Sequence, residues 1–203
     1  MVVAGTATEV GKTWAAAELA RRLRAAGTAV AARKPVQSYA PGGGPTDAEL
    51  LAAATGEDPA RVCPPARWYE VALAPPMAAA ELGRPGFALA DLLGELAWAP
   101  GTGVGLVEGV GGPASPLADD ASTADLAAAL SPDAVLLVAP SGLGAVNAVR
   151  LSAAALPRPV VVLLNRFDPA DPTHRANAAW LADRDGLTVV TSAARALGAL
   201  GAC

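Results

Sequence analysis

Short apolar runs alternate along the chain with alanine-rich stretches of helical spacing. The runs at 1–4, 29–36, 103–108, 133–139, 159–165 and 187–191 are rich in valine, alanine or leucine, and each predicts a strand. Helices are expected between them, at about 12–26, 46–55, 144–156 and 173–183. Continuous apolar strands such as VLLVA and VVVLL are typical of a parallel sheet that is buried on both faces. The pattern therefore predicts a doubly wound α/β fold, with a mostly parallel sheet and helices on both faces.

Local signals refine the boundaries of these elements. Gly27 is expected to end the first helix, because glycine is common just past a helix C-terminus. Thr46 and Glu49 have the spacing of a capping box, which predicts a helix start there. The proline pairs at 64–65 and 75–76 predict irregular segments rather than a domain boundary.

Composition narrows the possible classes of function. The chain has 203 residues, of which 53% are hydrophobic and 17% charged, and this suits one globular domain spanning 1–203. The net charge of −4 argues against nucleic acid as a main partner, since phosphate backbones require clustered lysine and arginine. No apolar run approaches the ~20 residues of a membrane span, and the N-terminus opens on a strand rather than a leader. We therefore expect a cytoplasmic protein without a membrane partner. Its two cysteines, Cys63 and Cys203, predict neither a disulfide framework nor a cysteine-based metal site.

The strongest chemical signal is a loop between the first strand and the first helix. Gly5 to Thr13 reads GTATEVGKT, and the N–H groups of such a loop point at phosphate oxygens. Lys12 would reach the β- and γ-phosphates, and the hydroxyl of Thr13 would ligate Mg²⁺. The strict pattern has a glycine five positions before Gly11, where this chain has Thr6. The segment is therefore predicted to be a P-loop that binds ATP and Mg²⁺. The alternative is a strand, turn and helix that contain GKT by chance.

A carboxylate stands at the end of another predicted strand. Glu108 closes the apolar run VGLVE and is followed by the glycine-rich segment 109–112. Ligands of open α/β sheets bind at the carboxyl ends of the strands, so this position suits a carboxylate that serves Mg²⁺. The other interpretation is an ordinary solvated glutamate.

Lys34 and Asp47 are ambiguous when each is taken alone. Lys34 ends the second predicted strand and precedes Pro35, so it could point into the same crevice or lie on the surface. Asp47 lies in the first turn of a helix, where a negative charge is favourable to the helix dipole anyway. Lys34 and Asp47 become candidate site residues only in combination with the loop and the strand-end carboxylate. His174, the one histidine, is expected to be a surface helix residue.

Seven segments, spread over about residues 2–166, resemble dethiobiotin synthetases in order and spacing. They are GTATEVGKT, KPVQS, TDAELL, WYEVALAPPMAAA, VEGVGGPASPL, LGAVN and VVLLNR. The first is shared with related amidoligases, whereas the combination with KPVQS and VEGVGG is specific. That family makes dethiobiotin from 7,8-diaminopelargonic acid, CO₂ and ATP. The resemblance implies the same activity here, with Mg²⁺ as cofactor, ATP as co-substrate and a homodimeric assembly.

The resemblance also implies a role for each matching residue. Lys12 and Lys34 would be catalytic, and Mg²⁺ would be held by Thr13, Asp47 and Glu108. The ATP-binding set would be Thr8, Glu9, Val10, Gly11, Lys12, Thr13, Trp14, Asp47, Glu108, Gly109, Val110, Gly111, Asn165 and Arg166, with Asn165 at the adenine edge. The substrate would be bound by Ser38 and, from the other subunit, by the helix start at Gly144, Ala145, Val146 and Asn147.

The chain departs from the family pattern at two positions. Ala7 stands where many members carry aspartate, and Gly142 where some carry lysine. In the family, part of the adenine pocket comes from the C-terminal region, near 191–194 here. Because this region is short in this chain, the resemblance does not specify which nucleotide base is preferred.

Partitioning-type P-loop ATPases, which act as positional switches, are a second class with the same fold. Their loop carries an early lysine at the place of Ala7. A cobyrinate-type amidoligase needs an additional amidotransferase domain, for which this chain has no room.

Overall fold

The fold combines short strands with helices over residues 1–201, the part of the chain that the computed structural model describes; Cys203 lies outside it. The strands are β1 (Val2–Gly5), β2 (Val30–Arg33), β3 (Gln37–Ser38), β4 (Trp68–Tyr69), β5 (Val104–Glu108), β6 (Pro116–Ala118), β7 (Ala121–Ser122), β8 (Val135–Pro140), β9 (Val160–Asn165) and β10 (Thr188–Val190). The helices are α1 (Lys12–Ala25), α2 (Asp47–Thr55), α3 (Pro59–Val62), α4 (Pro75–Glu81), α5 (Leu89–Glu95), α6 (Thr123–Leu130), α7 (Ala145–Ala154), α8 (Pro172–Ala179) and α9 (Ala193–Ala199). Within these residues, no helix has the length and apolar character needed to cross a membrane.

Six of the strands form one sheet, in the order β10-β9-β8-β1-β5-β2. Every neighbouring pair in it is parallel. The chain leaves the central strand β1 for β2 at one edge, whereas β8, β9 and β10 extend the sheet on the other side. The strand order therefore reverses beside β1, and the ligand crevice of such a sheet lies outside the carboxyl ends of the strands at that point. The predicted doubly wound α/β fold is confirmed.

Both faces of this sheet are buried, which explains the continuous apolar runs. Successive residues alternate between two core clusters, so that Val2 and Leu137 lie in one and Val3 and Leu136 in the other. The first cluster includes side chains of α4 to α7, and the second includes side chains of α1, α2 and α9. This is the packing expected when a parallel sheet is covered by helices on each side.

The start of α2 is fixed by three hydrogen bonds. Thr46 and Glu49 form the predicted capping box, with the N–H of Thr46 donating to Glu49 Oε2 at 2.7 Å. In the same turn, the N–H of Ala48 donates to the side-chain oxygen of Gln37 at 3.0 Å. Asp47 lies between these anchors, so its carboxylate is presented from a rigid helix N-terminus.

The strand expected over 29–36 is shorter than the sequence suggested. It ends at Arg33, and the N–H of Lys34 donates to the carbonyl of Val62 at 2.8 Å instead of joining the sheet. Pro35 then has no N–H to extend the ladder. The chain turns away, and β3 pairs with β4 in a separate two-stranded sheet. Lys34 thus lies just past its strand rather than within it.

Two other expectations are corrected. The proline pair at 75–76 is not irregular but opens α4, since proline is well accommodated in the first turn of a helix. The helix expected over 173–183 is α-helical only to Ala179 and continues as one π-helical stretch, Trp180–Arg184. Helices α5 and α6 and the β6–β7 pair were not predicted, although Ser122 and Asp125 have capping-box spacing at the start of α6.

Candidate active site

The phosphate loop connects β1 to α1 and curls tightly. Glu9 and Gly11 both have left-handed backbone angles, with φ of 62° and 97°. Such alternation directs successive N–H groups into one concavity, which favours an anion. A Cβ on Gly5 would lie only 2.7 Å from a methyl carbon of Val10 and 2.9 Å from the Lys12 side chain. Glycine is therefore needed at this position, one residue earlier than the strict pattern has it, for the loop to fold back over β1.

Lys12 spans this loop from the first turn of α1. Its ammonium group donates to the carbonyl of Ala7 at 3.0 Å, and the side chain is largely buried. Burial lowers the pKa of Lys12 to about 8, and the positive charge of Lys34 acts in the same direction. A lysine held this way is poorly compensated within the protein, which suits it to pairing with a phosphate.

A buried cluster of charged and polar groups lies beside the loop. The Lys34 ammonium is 2.7 Å from Glu108 Oε1, 2.8 Å from Asp47 Oδ2 and 3.1 Å from the carbonyl of Gly109. The Thr13 hydroxyl lies 2.7 Å from Asp47 Oδ1 and 2.9 Å from Glu108 Oε1. Four separate segments, the starts of α1 and α2 and the ends of β2 and β5, thus meet at one point.

Burial and charge act against each other on the pKa values of this cluster. Burial raises the pKa of Glu108, although the charge of Lys34 opposes the shift. For Lys34, burial works to lower the pKa, but the carboxylates of Glu108 and Asp47 outweigh it and hold the pKa above its usual value. For Asp47, burial is outweighed by Lys34, and the pKa is lowered. Lys34 is therefore kept protonated, while the second oxygen of Glu108 is buried without a hydrogen-bond partner among the described residues.

The loop and the cluster open into one cavity of about 890 Å³, here called the phosphate cavity. It brings together most of the residues that the sequence predicted, namely Thr8, Glu9, Gly11, Lys12, Thr13, Lys34, Ser38, Asp47, Glu108, Val110, Gly111 and Arg166. An apolar wall of the cavity is formed by Ala72, Leu73, Ala74, Pro75 and Pro116. Ser38 also lines the cavity and contacts this wall, since its hydroxyl donates to the carbonyl of Leu73 at 2.5 Å. The cavity can therefore hold both a charged group and an aliphatic chain.

A second cavity of about 490 Å³, the side cavity, adjoins the first at Gly11 and Arg166, which line both. The predicted residues Trp14 and Asn165 lie here instead of in the phosphate cavity. Both ends of the Asn165 amide bond to the protein: Nδ2 donates to the carbonyl of Val10 at 2.9 Å, and Oδ1 accepts from the N–H of Arg166 at 2.9 Å. Asn165 thereby ties the phosphate loop to the end of β9.

The predicted residues Val10 and Gly109 line neither cavity, and the start of α7 does not reach either one. Gly144, Ala145, Val146 and Asn147 form the first turn of α7 and line neither the phosphate cavity nor the side cavity of their own chain. The preceding Leu143 is 97% exposed, which leaves the turn accessible from outside.

Comparison with known proteins shows the family to which this sequence belongs. A family model described as an AAA domain matches residues 1–196. A protein from Anaeromyxobacter dehalogenans (strain 2CP-C), named ATP-dependent dethiobiotin synthetase BioD, is 38% identical, and the match covers 98% of this chain and 96% of that relative. The chain belongs to the dethiobiotin synthetase family. Proteins of the same name from Haloferax mediterranei and Methylobacterium nodulans are 38% and 44% identical; the matches cover 93% and 72% of this chain, and 81% and 70% of those relatives.

Several residues that shape this dethiobiotin synthetase site were not singled out from the sequence. Gln37 is buried, lines the phosphate cavity and accepts from the N–H of Ala48; its place inside KPVQS was the available signal. Thr123 holds the segment after Glu108, since its hydroxyl accepts from the N–H of Val110 at 3.1 Å and donates to the carbonyl of Val110 at 2.8 Å. No local pattern marks Thr123, because the contact spans two distant segments.

Helix α8 supports the loop before α7 of this dethiobiotin synthetase. The Asn177 amide donates to the carbonyls of Ser141 and Gly142, at 2.9 and 2.8 Å. His174 is half-buried and accepts from the N–H of Asp168 at 3.0 Å, so it is more than the surface residue expected from the sequence. These contacts fix the loop that presents the first turn of α7.

Proposed function

We propose that this chain makes dethiobiotin from 7,8-diaminopelargonic acid, CO₂ and ATP, as a cytoplasmic step of biotin synthesis. Membership of the dethiobiotin synthetase family supports the activity. The observation that carries the proposal is a single cavity in which a phosphate loop, the Lys34 cluster and an apolar wall converge. A switch ATPase would need the phosphate loop but not the apolar wall of the phosphate cavity.

The proposed reaction has three steps that this cavity can accommodate together. The lone pair of one substrate amine attacks CO₂, and loss of a proton gives a carbamate. A carbamate oxygen then attacks the γ-phosphorus of ATP, the bond to the ADP oxygen breaks, and a carbamic-phosphoric anhydride forms. The second amine attacks the carbamate carbon, the carbon–oxygen bond to phosphate breaks, and the ureido ring closes with release of phosphate.

The side chains that line the cavity suit the positions that these steps require. Lys12, on the loop, would stabilise the charge of the transferring phosphoryl group, and Lys34, kept protonated by its carboxylates, would neutralise the carbamate. Ser38 lines the same cavity beside the apolar wall, where a hydroxyl can orient the diamine. Phosphoryl transfer depends mainly on positioning and on charge stabilisation, both of which rigid, buried cations provide.

Mg²⁺ would be held by Thr13, Asp47 and Glu108. Hydroxyl and carboxylate oxygens are the ligands that Mg²⁺ prefers, and the Thr13 hydroxyl already lies within hydrogen-bonding distance of both carboxylates. The buried, unpartnered oxygen of Glu108 supports the assignment, because a bound cation would satisfy it. When bound, the ion neutralises charge on the β- and γ-phosphates.

The assembly is proposed to be a homodimer. Gly144 to Asn147 present a helix N-terminus, which attracts a carboxylate, yet they line neither the phosphate cavity nor the side cavity of their own chain. Leu143 and Leu151, at 97% and 68% exposure, flank this turn with apolar surface. A second subunit would cover that surface and would bring the turn to the carboxylate of a substrate bound in the neighbouring cavity.

Incubation with ¹³C-labelled bicarbonate tests the proposed activity. Phosphate release from ATP should require both the 7,8-diamino acid and bicarbonate, and one label should enter a ureido carbon for each phosphate released. Lys34→Met should abolish both signals, because it removes the positioned cation. Equal phosphate release without the diamine would overturn the synthetase proposal and favour a switch ATPase.

Removing one proposed metal ligand tests the Mg²⁺ assignment. For Glu108→Gln, we expect the gain in ATP affinity on adding Mg²⁺ to fall about tenfold or more, because a carboxylate ligand is lost. ATP binding in excess EDTA should change far less. Calorimetric titrations with and without Mg²⁺ give both values, and an Mg²⁺ dependence equal to that of the unmodified protein would contradict the assignment.

Light scattering tests the assembly. The unmodified protein should be a dimer at micromolar concentration, and Leu143→Glu should shift it toward monomer by placing charges on the covered surface. The same variant should raise the KM for the diamine while leaving ATP binding intact. Leu82→Glu, at a 41% exposed position away from α7, is the matched control. A fully active monomer would refute the dimer proposal.

A further inference from the structure

Trp14 occupies an unusual position next to the phosphate loop. It is the third residue of α1, directly after Lys12 and Thr13, and 52% of its surface is exposed. Exposed apolar residues are common on protein surfaces, so exposure alone assigns no role. The location of Trp14 does indicate a role, since Trp14 lines the side cavity together with Gly11 and Asn165.

The side cavity is where the base of a loop-bound nucleotide would lie. Gly11 and Arg166 line both cavities, so the two spaces adjoin at the end of the phosphate loop. A nucleotide whose phosphates are held by the loop must extend its sugar and base away from Lys12. Phe167 and the segment 191–193 form other parts of the wall, and Trp14 provides a large flat ring.

The Asn165 amide, which is expected to read the base, makes one hydrogen bond at each end within the protein, to the carbonyl of Val10 and to the N–H of Arg166. These contacts position the loop whether or not a base is present, and they leave one N–H and one lone pair for a ligand. Hydrogen bonds to Asn165 are therefore one source of base affinity, and aromatic stacking is a second.

We propose that the indole of Trp14 is the platform on which the nucleotide base stacks. Every base has a π-face, so stacking tolerates different bases and favours the larger purines. The inference rests on the proposed function only for ATP in the phosphate loop, not for the carbamate or ring-closure steps.

Calorimetric titration with ATP and with inorganic tripolyphosphate separates the base from the phosphates. Trp14→Ala should weaken ATP binding about ten- to a hundredfold, which is the range that loss of one base stack produces. Tripolyphosphate affinity should not change, because this ligand has no base. Trp14→Phe should retain ATP affinity within a few-fold, since an aromatic ring remains.

Trp180→Ala is the matched control, because Trp180 is 48% exposed and lines neither cavity. It should leave both affinities unchanged, and the change in tryptophan emission on ATP addition should persist in it but be lost in Trp14→Ala. ATP affinity unchanged in Trp14→Ala would overturn the proposal. An equal loss for ATP and tripolyphosphate would also overturn it, because that result means a damaged phosphate loop.

The same titrations distinguish this inference from the proposed function. If the unmodified protein binds ATP no more tightly than tripolyphosphate, the base contributes nothing and the platform is refuted, while the phosphate loop stands. If it binds neither ligand, both proposals fall. If ATP binding depends on Trp14 but no ureido product forms, the platform is upheld and only the synthetase proposal fails.

Discussion

The buried contact between Lys34 and Glu108, at 2.7 Å, is the constraint on which the site depends. Both side chains are at most 3% exposed, so each charge has lost most of its hydration. Such loss costs several kcal/mol per ion, and only close pairing and further hydrogen bonds offset it. The cluster supplies these through Asp47, Thr13 and the carbonyl of Gly109. The ends of β2 and β5 and the starts of α1 and α2 must therefore meet in one arrangement.

The surrounding fold holds that arrangement by contacts between distant segments. Gly5 leaves room for the phosphate loop to fold over β1. Asn165 ties this loop to β9, whereas the Glu108 carboxylate lies at the end of β5, three strands away from β9 in the sheet. Gln37 connects β3 to the first turn of α2, next to Asp47. Because these anchors join separate elements, contacts within the protein hold the loop and its cations in place, as charge stabilisation in catalysis requires.

The sequence predicted the parts that local physics determines. Continuous valine-rich runs indicated a sheet buried on both faces, and the spacing of Thr46 and Glu49 indicated the start of α2. The GKT segment indicated the loop because strand, turn and helix follow one another there. Placement of Lys34, Asp47 and Glu108 in one cluster needed the family resemblance, since each had an ordinary surface interpretation on its own.

What the sequence could not predict depends on tertiary contacts. The second strand stops at Arg33 because Val62, almost thirty residues later, takes the N–H of Lys34. The bonds of Asn165 to Val10 and of Thr123 to Val110 have no local signature. The proline pair at 75–76 was interpreted as irregular, although it opens a helix whose start forms the apolar wall of the phosphate cavity.

The Lys34–Glu108 pair is expected to order the site rather than to stabilise the fold, and one double-mutant cycle tests this claim directly. The free energy of unfolding would be measured for Lys34→Met, Glu108→Leu and the double variant. Each single change should lower it by about 3–5 kcal/mol, because one buried charge loses its partner. The double variant should lie within about 1 kcal/mol of the unmodified protein or above it, since an apolar pair replaces an ion pair. Asp47, whose side chain is 38% exposed, can stay hydrated in that variant. A double variant destabilised by the sum of the two single changes would contradict the claim.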